Sequence, residues 1–188
     1  MTAPVTVHLM RHGAPTLAGH LLGRTDCPVT PAGITACRAS AARLAVGRVV
    51  SSDLARASAC AEACGPAVTI DPRWRELDFG DWDGLTAAQV DGAALARFWA
   101  DPDGCPPPGG ERWSALVTRV GAALAEIEGD TLVVTHAGAM RAALAAACGL
   151  DARAVWSFDL PYACVLTLAL WRGEAPAAQI VELRRCGG

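Results

Sequence analysis

Apolar positions in this chain fall into short runs, and most of the runs end at a glycine, a proline or a cluster of polar residues. The first run, VTVHLMRHG from Val5 to Gly13, is apolar and β-rich, and it breaks off abruptly at Arg11-His12-Gly13, which predicts a buried strand. A loop runs to Thr30. A helix is expected from Pro31 to about Leu44, with Thr30 as cap and Pro31 in the first position. A second strand should cover Arg48 to Ser51, then a helix from about Leu54 to Cys64 that begins at a Ser/Asp cap, then a short strand at Val68 to Ile70. An acidic, glycine-punctuated loop follows, with helical segments from about Thr86 to Ala100. One Pro/Gly-rich insertion, Asp101 to Glu111, precedes a helix from about Trp113 to Ile127. Thr131 to Thr135, TLVVT, is the clearest central strand. After it come a helix from Ala139 to Cys148, a strand from Ala163 to Trp171 and an edge strand near Gln179 to Leu183. Strands alternating with helices predict a three-layer α/β/α sandwich around a mostly parallel sheet, with ligands bound at the carboxyl ends of the strands. Residues 1–188 read as a single domain, since no Ser- or Pro-rich linker divides them.

Where the strands end, chemistry accumulates. Arg11 offers a planar fork of donors suited to phosphate, His12 an imidazole that can act as nucleophile, and Gly13 a backbone without a side chain, which would let the main chain approach a substrate. Arg56 lies in the first turn of its helix, where the helix dipole disfavours a cation unless an anion is near. The loop Arg75 to Gly84, RELDFGDWDG, carries four acids, Glu76, Asp78, Asp81 and Asp83, and spacing alone does not choose among them. TLVVT runs directly into His136-Ala137-Gly138, a second histidine at a strand end. His8 alternates with Val7 and Leu9, so it should reach a covering helix, and His20 sits in a loop bordering the site.

Taken in order, LMRHG, SSDLARA from Ser51 to Ala57, RELDFGDWDG, PGGE from Pro108 to Glu111 and VVTHAG from Val133 resemble the histidine phosphatase superfamily. The branch is the phosphoglycerate mutase-like one that includes cofactor-dependent phosphoglycerate mutases, fructose-2,6-bisphosphatases and α-ribazole phosphatases. The resemblance implies His12 as nucleophile, Arg11, Arg56 and His136 as the phosphate pocket, and Glu76 as proton donor. Gly23, Ala137 and Arg112 are further candidate substrate contacts. Two departures from the family pattern, Ala18 and Arg112 in place of polar residues, and the short acidic loop, favour hydrolysis over mutase transfer. LLGRTDCPVTPAG from Leu21, the FGDW loop and VWSFDLPYACVLTL from Val155 look most like the α-ribazole phosphatases of cobalamin synthesis. Trp82, Trp99 and Trp113 are then candidates to stack on a benzimidazole base, although aromatic residues in such segments commonly belong to the core. A broad-specificity or protein phosphohistidine phosphatase, a mutase or fructose-2,6-bisphosphatase, and an inactive phosphate-binding module remain the alternatives.

Composition narrows this further. A net charge of −3 and a pI near 5.8 give no reason to expect nucleic acid or an anionic membrane as partner; a small phosphate monoester is the expected one. The chain has no lysine and all 16 basic residues are arginine, so any permanent side-chain cation on a phosphate must be Arg. Eight cysteines lack CxxC spacing, and four scattered histidines lack the pairing that zinc or a two-metal site requires, so no metal and no cofactor is expected. Reduced thiols and an N-terminus MTAPVTV without a basic n-region point to a cytoplasmic protein whose mature form begins near Met1.

Overall fold

The computed structural model describes residues 3–65, 67–173 and 177–186, so the expectation at Met1 lies outside the described residues. Six strands form one sheet: β1 (Val5–Arg11), β2 (Arg48–Ser51), β3 (Val68–Ile70), β4 (Thr131–Thr135), β5 (Val165–Trp171) and β6 (Ala177–Arg184). Their spatial order is β3-β2-β4-β1-β5-β6. The β3/β2, β2/β4 and β4/β1 pairings are parallel, whereas β1/β5 and β5/β6 are antiparallel, so the sheet is mixed. Only β5 runs against the rest, antiparallel to β1 on one side and to β6 on the other.

Helices α1 (Pro31–Ala41) and α2 (Ala55–Glu62) cover one face, and α3 (Gly92–Ala100), α4 (Trp113–Ala125), α5 (Ala137–Cys148) and α6 (Ala152–Trp156) pack on the other. Strand alternation divides the core accordingly. Val7, Leu9 and Val133 point to the cluster under α4 and α5, and Met10, Leu132 and Val134 to the cluster under α1 and α2. The chain leaves β1 for α1 on one face and β4 for α5 on the other. Since β1 and β4 are neighbours, a crevice opens between their carboxyl ends, at a topological switch point.

Capping follows the sequence in most places. Thr30 accepts a hydrogen bond from Gly33 N, and Asp91 and Asp151 cap α3 and α6 in the same way. At α2 the expected Ser/Asp cap is replaced. Leu54 is the N-cap and has no side-chain bond, Asp53 is drawn off to Arg75, and Asp26 from a distant loop accepts from Ala55 N at 2.8 Å. The helix expected from Thr86 is confined to Gly92–Ala100, because Thr86 ends in a turn closed by Gln89. The short helix α6, absent from the sequence reading, follows its Asp151 cap. His8 reaches no covering helix: its Nδ1 bonds Thr167 Oγ1 at 2.9 Å, its cross-strand partner on β5.

Candidate active site

His12 follows β1 directly, and its N–H donates to Thr135 O at 2.8 Å, which ties it to the end of β4. Its Nδ1 lies 2.7 Å from Gly13 O. A carbonyl only accepts, so Nδ1 carries the proton and the Nε2 lone pair is left for an electrophile. Burial, with Arg56 and Arg11 adding to it against the Gly13 hydrogen bond, brings the His12 pKa down to about 3, so the ring is neutral at ordinary pH. Gly13 also permits a close backbone contact: a Cβ there would lie 2.3 Å from Gly33 O, so the missing side chain lets α1 approach the loop of His12. Ala163 takes a left-handed backbone conformation, φ 58°, from which its N–H reaches both Arg11 O and His12 O.

His136 is fully buried, with its ring centroid 5.0 Å from that of His12. Its Nε2 lies 3.0 Å from Ser52 Oγ, which already accepts from Leu54 N. The Ser52 hydroxyl can serve Nε2 as donor or acceptor, and Nδ1 is buried with no protein partner among the described residues. Burial first, then the neighbouring His12, Arg56 and Arg11, hold its pKa well below the usual value, so the ring is neutral at ordinary pH.

Two guanidiniums complete this end of the pocket. Arg56 is buried completely, with its terminal nitrogens donating to Thr25 O at 2.9 Å and Leu22 O at 2.6 Å, and no carboxylate is paired with it among the described residues. Burial lowers its pKa and Glu76 opposes that shift. Arg11 donates to Leu160 O at 2.6 Å and stacks over Tyr162, 3.9 Å from the ring centroid. Glu76 accepts from Leu77 N at 2.8 Å and from Gly138 N, in the first turn of α5, at 3.0 Å. Arg119 on α4 holds the backbone beneath it, donating to the carbonyls of Arg73, Arg75 and Glu76 while its fork is paired with Glu111. Glu111 is the acid of PGGE, and its N–H donates to Asp78 O at 2.9 Å. The Asp101–Glu111 segment is thus pinned to the acid loop.

Arg11, His12, Arg56, Glu76 and Ala137 line one pocket of about 190 Å³, with His136 against His12. Gly23 and Arg112 are not among the lining residues. Gly23 packs against the acid loop, where a Cβ would meet Leu77 O at 2.3 Å, and Arg112 is exposed and bonds Asp103 O. Trp99 and Trp113 line the pocket, whereas Trp82 is buried in the core edge-on to Phe98. Tyr162, Arg141 and Trp156 line it too, and sequence reading did not single them out. A positive-φ alanine or a stacking tyrosine has no local signature; Arg141, four residues after Ala137 on α5, could have been found from helical spacing.

The family model of the histidine phosphatase superfamily (branch 1) matches residues 7–182. The chain belongs to this superfamily. Among relatives, the phosphatase resembles a protein named "Probable phosphoglycerate mutase GpmB" from Enterobacter sp. (strain 638), at 34% identity over 174 residues, 79% of this chain and 77% of the relative. It is 35% identical over 132 residues to a glucosyl-3-phosphoglycerate phosphatase of Mycobacterium tuberculosis, 63% of this chain and 58% of that one. The native structure of mycobacterial glucosyl-3-phosphoglycerate phosphatase superposes on this histidine phosphatase with a TM-score of 0.84 at 25% identity, covering 94% of this chain and 97% of the other. A candidate α-ribazole-5′-P phosphatase from Escherichia coli shares the fold, with a TM-score of 0.80 at 24% identity over 98% of each chain.

Proposed function

We propose that this histidine phosphatase hydrolyses small phosphate monoesters through a phosphohistidine at His12 Nε2, without a metal. The observation that carries the reading is the tautomer: Nδ1–H is committed to Gly13 O, in a pocket that also holds Arg11, Arg56 and Glu76. In-line transfer spreads negative charge over three equatorial oxygens, and Arg11, Arg56 and His136 Nδ1–H are donors positioned beforehand to receive it. Nε2 attacks phosphorus as the bond to the alcohol oxygen breaks, and Glu76 gives that oxygen its proton. Glu76, now a carboxylate, takes a proton from water as the water attacks the phosphohistidine, so the N–P bond breaks and inorganic phosphate leaves.

The alcohol would lie against Trp99 and Trp113, which suits a flat or apolar leaving group. α-Ribazole 5′-phosphate, a step of cobalamin synthesis, is therefore the substrate we place first, and a reducing cytoplasm fits eight free thiols. Phosphate release from α-ribazole 5′-phosphate, glucosyl-3-phosphoglycerate, 3-phosphoglycerate, fructose bisphosphates and p-nitrophenyl phosphate, in EDTA and beside His12→Ala, tests the proposal. Preference for α-ribazole 5′-phosphate by orders of magnitude in kcat/KM, with His12→Ala inactive, supports both parts. Similar slow turnover of all esters supports only a broad-specificity phosphatase. Reversible loss of activity in chelator would overturn the mechanism.

A further inference from the structure

Five buried side-chain nitrogens have no protein partner among the described residues: Arg11 Nε, Arg56 Nε, His136 Nδ1, Arg141 Nε and Trp156 Nε1. Three belong to the phosphate donors already described. The other two, Arg141 and Trp156, have no part in that chemistry, yet both residues line the same pocket. A buried donor left unpaired costs stability, so two side by side in a binding pocket call for an explanation from what enters it.

Arg141 stands one helical turn after Ala137 on α5. One of its terminal nitrogens donates to Phe158 O at 3.1 Å, and its guanidinium carbon lies 4.4 Å from the centroid of the Trp156 ring. Trp156 is itself packed edge-on against Trp99 at 5.0 Å and beside Trp113 at 6.0 Å, so the pair stands on an aromatic platform. No carboxylate forms an ion pair with Arg141 among the described residues. Glu76 and Asp159 act on it only at longer range.

Arg11, Arg56 and Arg141 are three permanent cations lining one pocket. The phosphate takes the first two, so the Arg141 guanidinium is left for an acceptor carried elsewhere on the ester.

We infer that Arg141 and Trp156 form a second subsite, which binds an acceptor oxygen, a carboxylate above all, carried by the alcohol portion of the ester. This rests on the phosphatase reading and names the class of ester within it: phosphate monoesters with a flat or apolar body and an anionic acceptor beyond it. Arg141 is a specificity residue here, and the phosphate is handled by the other two arginines.

Two measurements separate this subsite from the phosphatase reading. In the first, kcat/KM is compared for phenyl phosphate and for the 3- and 4-carboxyphenyl phosphates and their carboxamides, each ester on wild type, Arg141→Met and Trp156→Phe. Taking the ratio of variant to wild type on each ester cancels differences in leaving group. Arg141→Met should lose about tenfold to a hundredfold more on a carboxyphenyl ester than on phenyl phosphate, the range of one charge-assisted hydrogen bond. Trp156→Phe keeps a ring under Arg141 and should show a smaller loss in the same direction. Equal losses on every ester overturn the subsite, and equal losses on carboxamide and carboxylate overturn its preference for an anion. In the second, calorimetry compares binding of benzylphosphonate with 3- and 4-carboxybenzylphosphonate, which needs no turnover. Wild type should bind a carboxylated phosphonate about tenfold more tightly and Arg141→Met should lose that difference. No difference in wild type overturns the inference even if all the esters are hydrolysed. If no ester is hydrolysed while the phosphonate difference stands, it is the phosphatase reading that fails.

Discussion

His12 shows what burial does to a single group. In the unfolded chain its pKa is the ordinary 6.5 and in the fold it is about 3, so between these values the unfolded chain binds a proton that the native state refuses. Stability present above pH 6.5 is therefore lost progressively as the pH falls toward 3. His12→Asn has no such proton to take up, and its melting temperature should fall less steeply between pH 6.5 and 4.5 than that of wild type; parallel slopes would contradict the assignment. Gly138 offers a second test at the same scale. A Cβ there would stand 2.0 Å from Glu76 Oε1, the end of a flexible side chain, while alanine is the better helix former by about 1 kcal/mol. Gly138→Ala should therefore melt no lower than wild type yet turn phenyl phosphate over at least tenfold more slowly, because the displaced group is the proposed proton donor. Unchanged kcat would remove Glu76 from that role.

Among the elements, the acid loop depends on α4. No regular secondary structure extends through Glu76; it sits between a 3₁₀ turn at Pro72–Trp74 and another at Gly80–Trp82. Arg119 supplies the rigidity a helix would have given, by bridging three carbonyls of the loop and the Glu111 carboxylate. Lysine keeps the charge but cannot span those acceptors as a fork does. Arg119→Lys should consequently leave the protein folded and loosen the position of Glu76. Proton donation matters most for a poor leaving group, so kcat on phenyl phosphate should fall several-fold more than on p-nitrophenyl phosphate. Equal losses on both would mean that Arg119 supports only the fold.

Over the whole molecule, one end of the pocket gathers residues from distant points in the chain: Arg11 at the end of β1, His12 just after it, Arg56 on α2 and His136 after β4. Unpaired buried donors that a phosphate would satisfy predict stabilisation by inorganic phosphate, rising with its concentration as mass action requires. Arg56→Met should abolish most of that rise in melting temperature, since removing one preorganised charge costs roughly 3 to 4 kcal/mol of binding to such a group. A variant that still gains as much from phosphate would show that the anion binds elsewhere. EDTA should leave both the melting temperature and turnover unchanged, because no group of three metal-ligating side chains comes together among the described residues.

The local pattern determined much of this protein. Period-2 alternation in VTVHLMR and the unbroken apolar TLVVT fixed the strands that lead into His12 and His136, Thr30-Pro31 fixed the start of α1, and the family motifs pointed to residues that the fold brings into or against one pocket. Those signals are short-range, and each is set by residues within a turn or a strand of one another. Tertiary structure decided what depends on residues far apart in the chain. It set Asp26 in place of Ser/Asp as the cap of α2, bonded His8 to a neighbouring strand, and brought Gly33 against Gly13 and the acid loop against Gly23. It also assembled Tyr162, Arg141 and Trp156 around the pocket. Hydrogen bonding, close backbone contact and the burial of charge depend on which distant atoms meet, and no spacing along a single chain records that meeting.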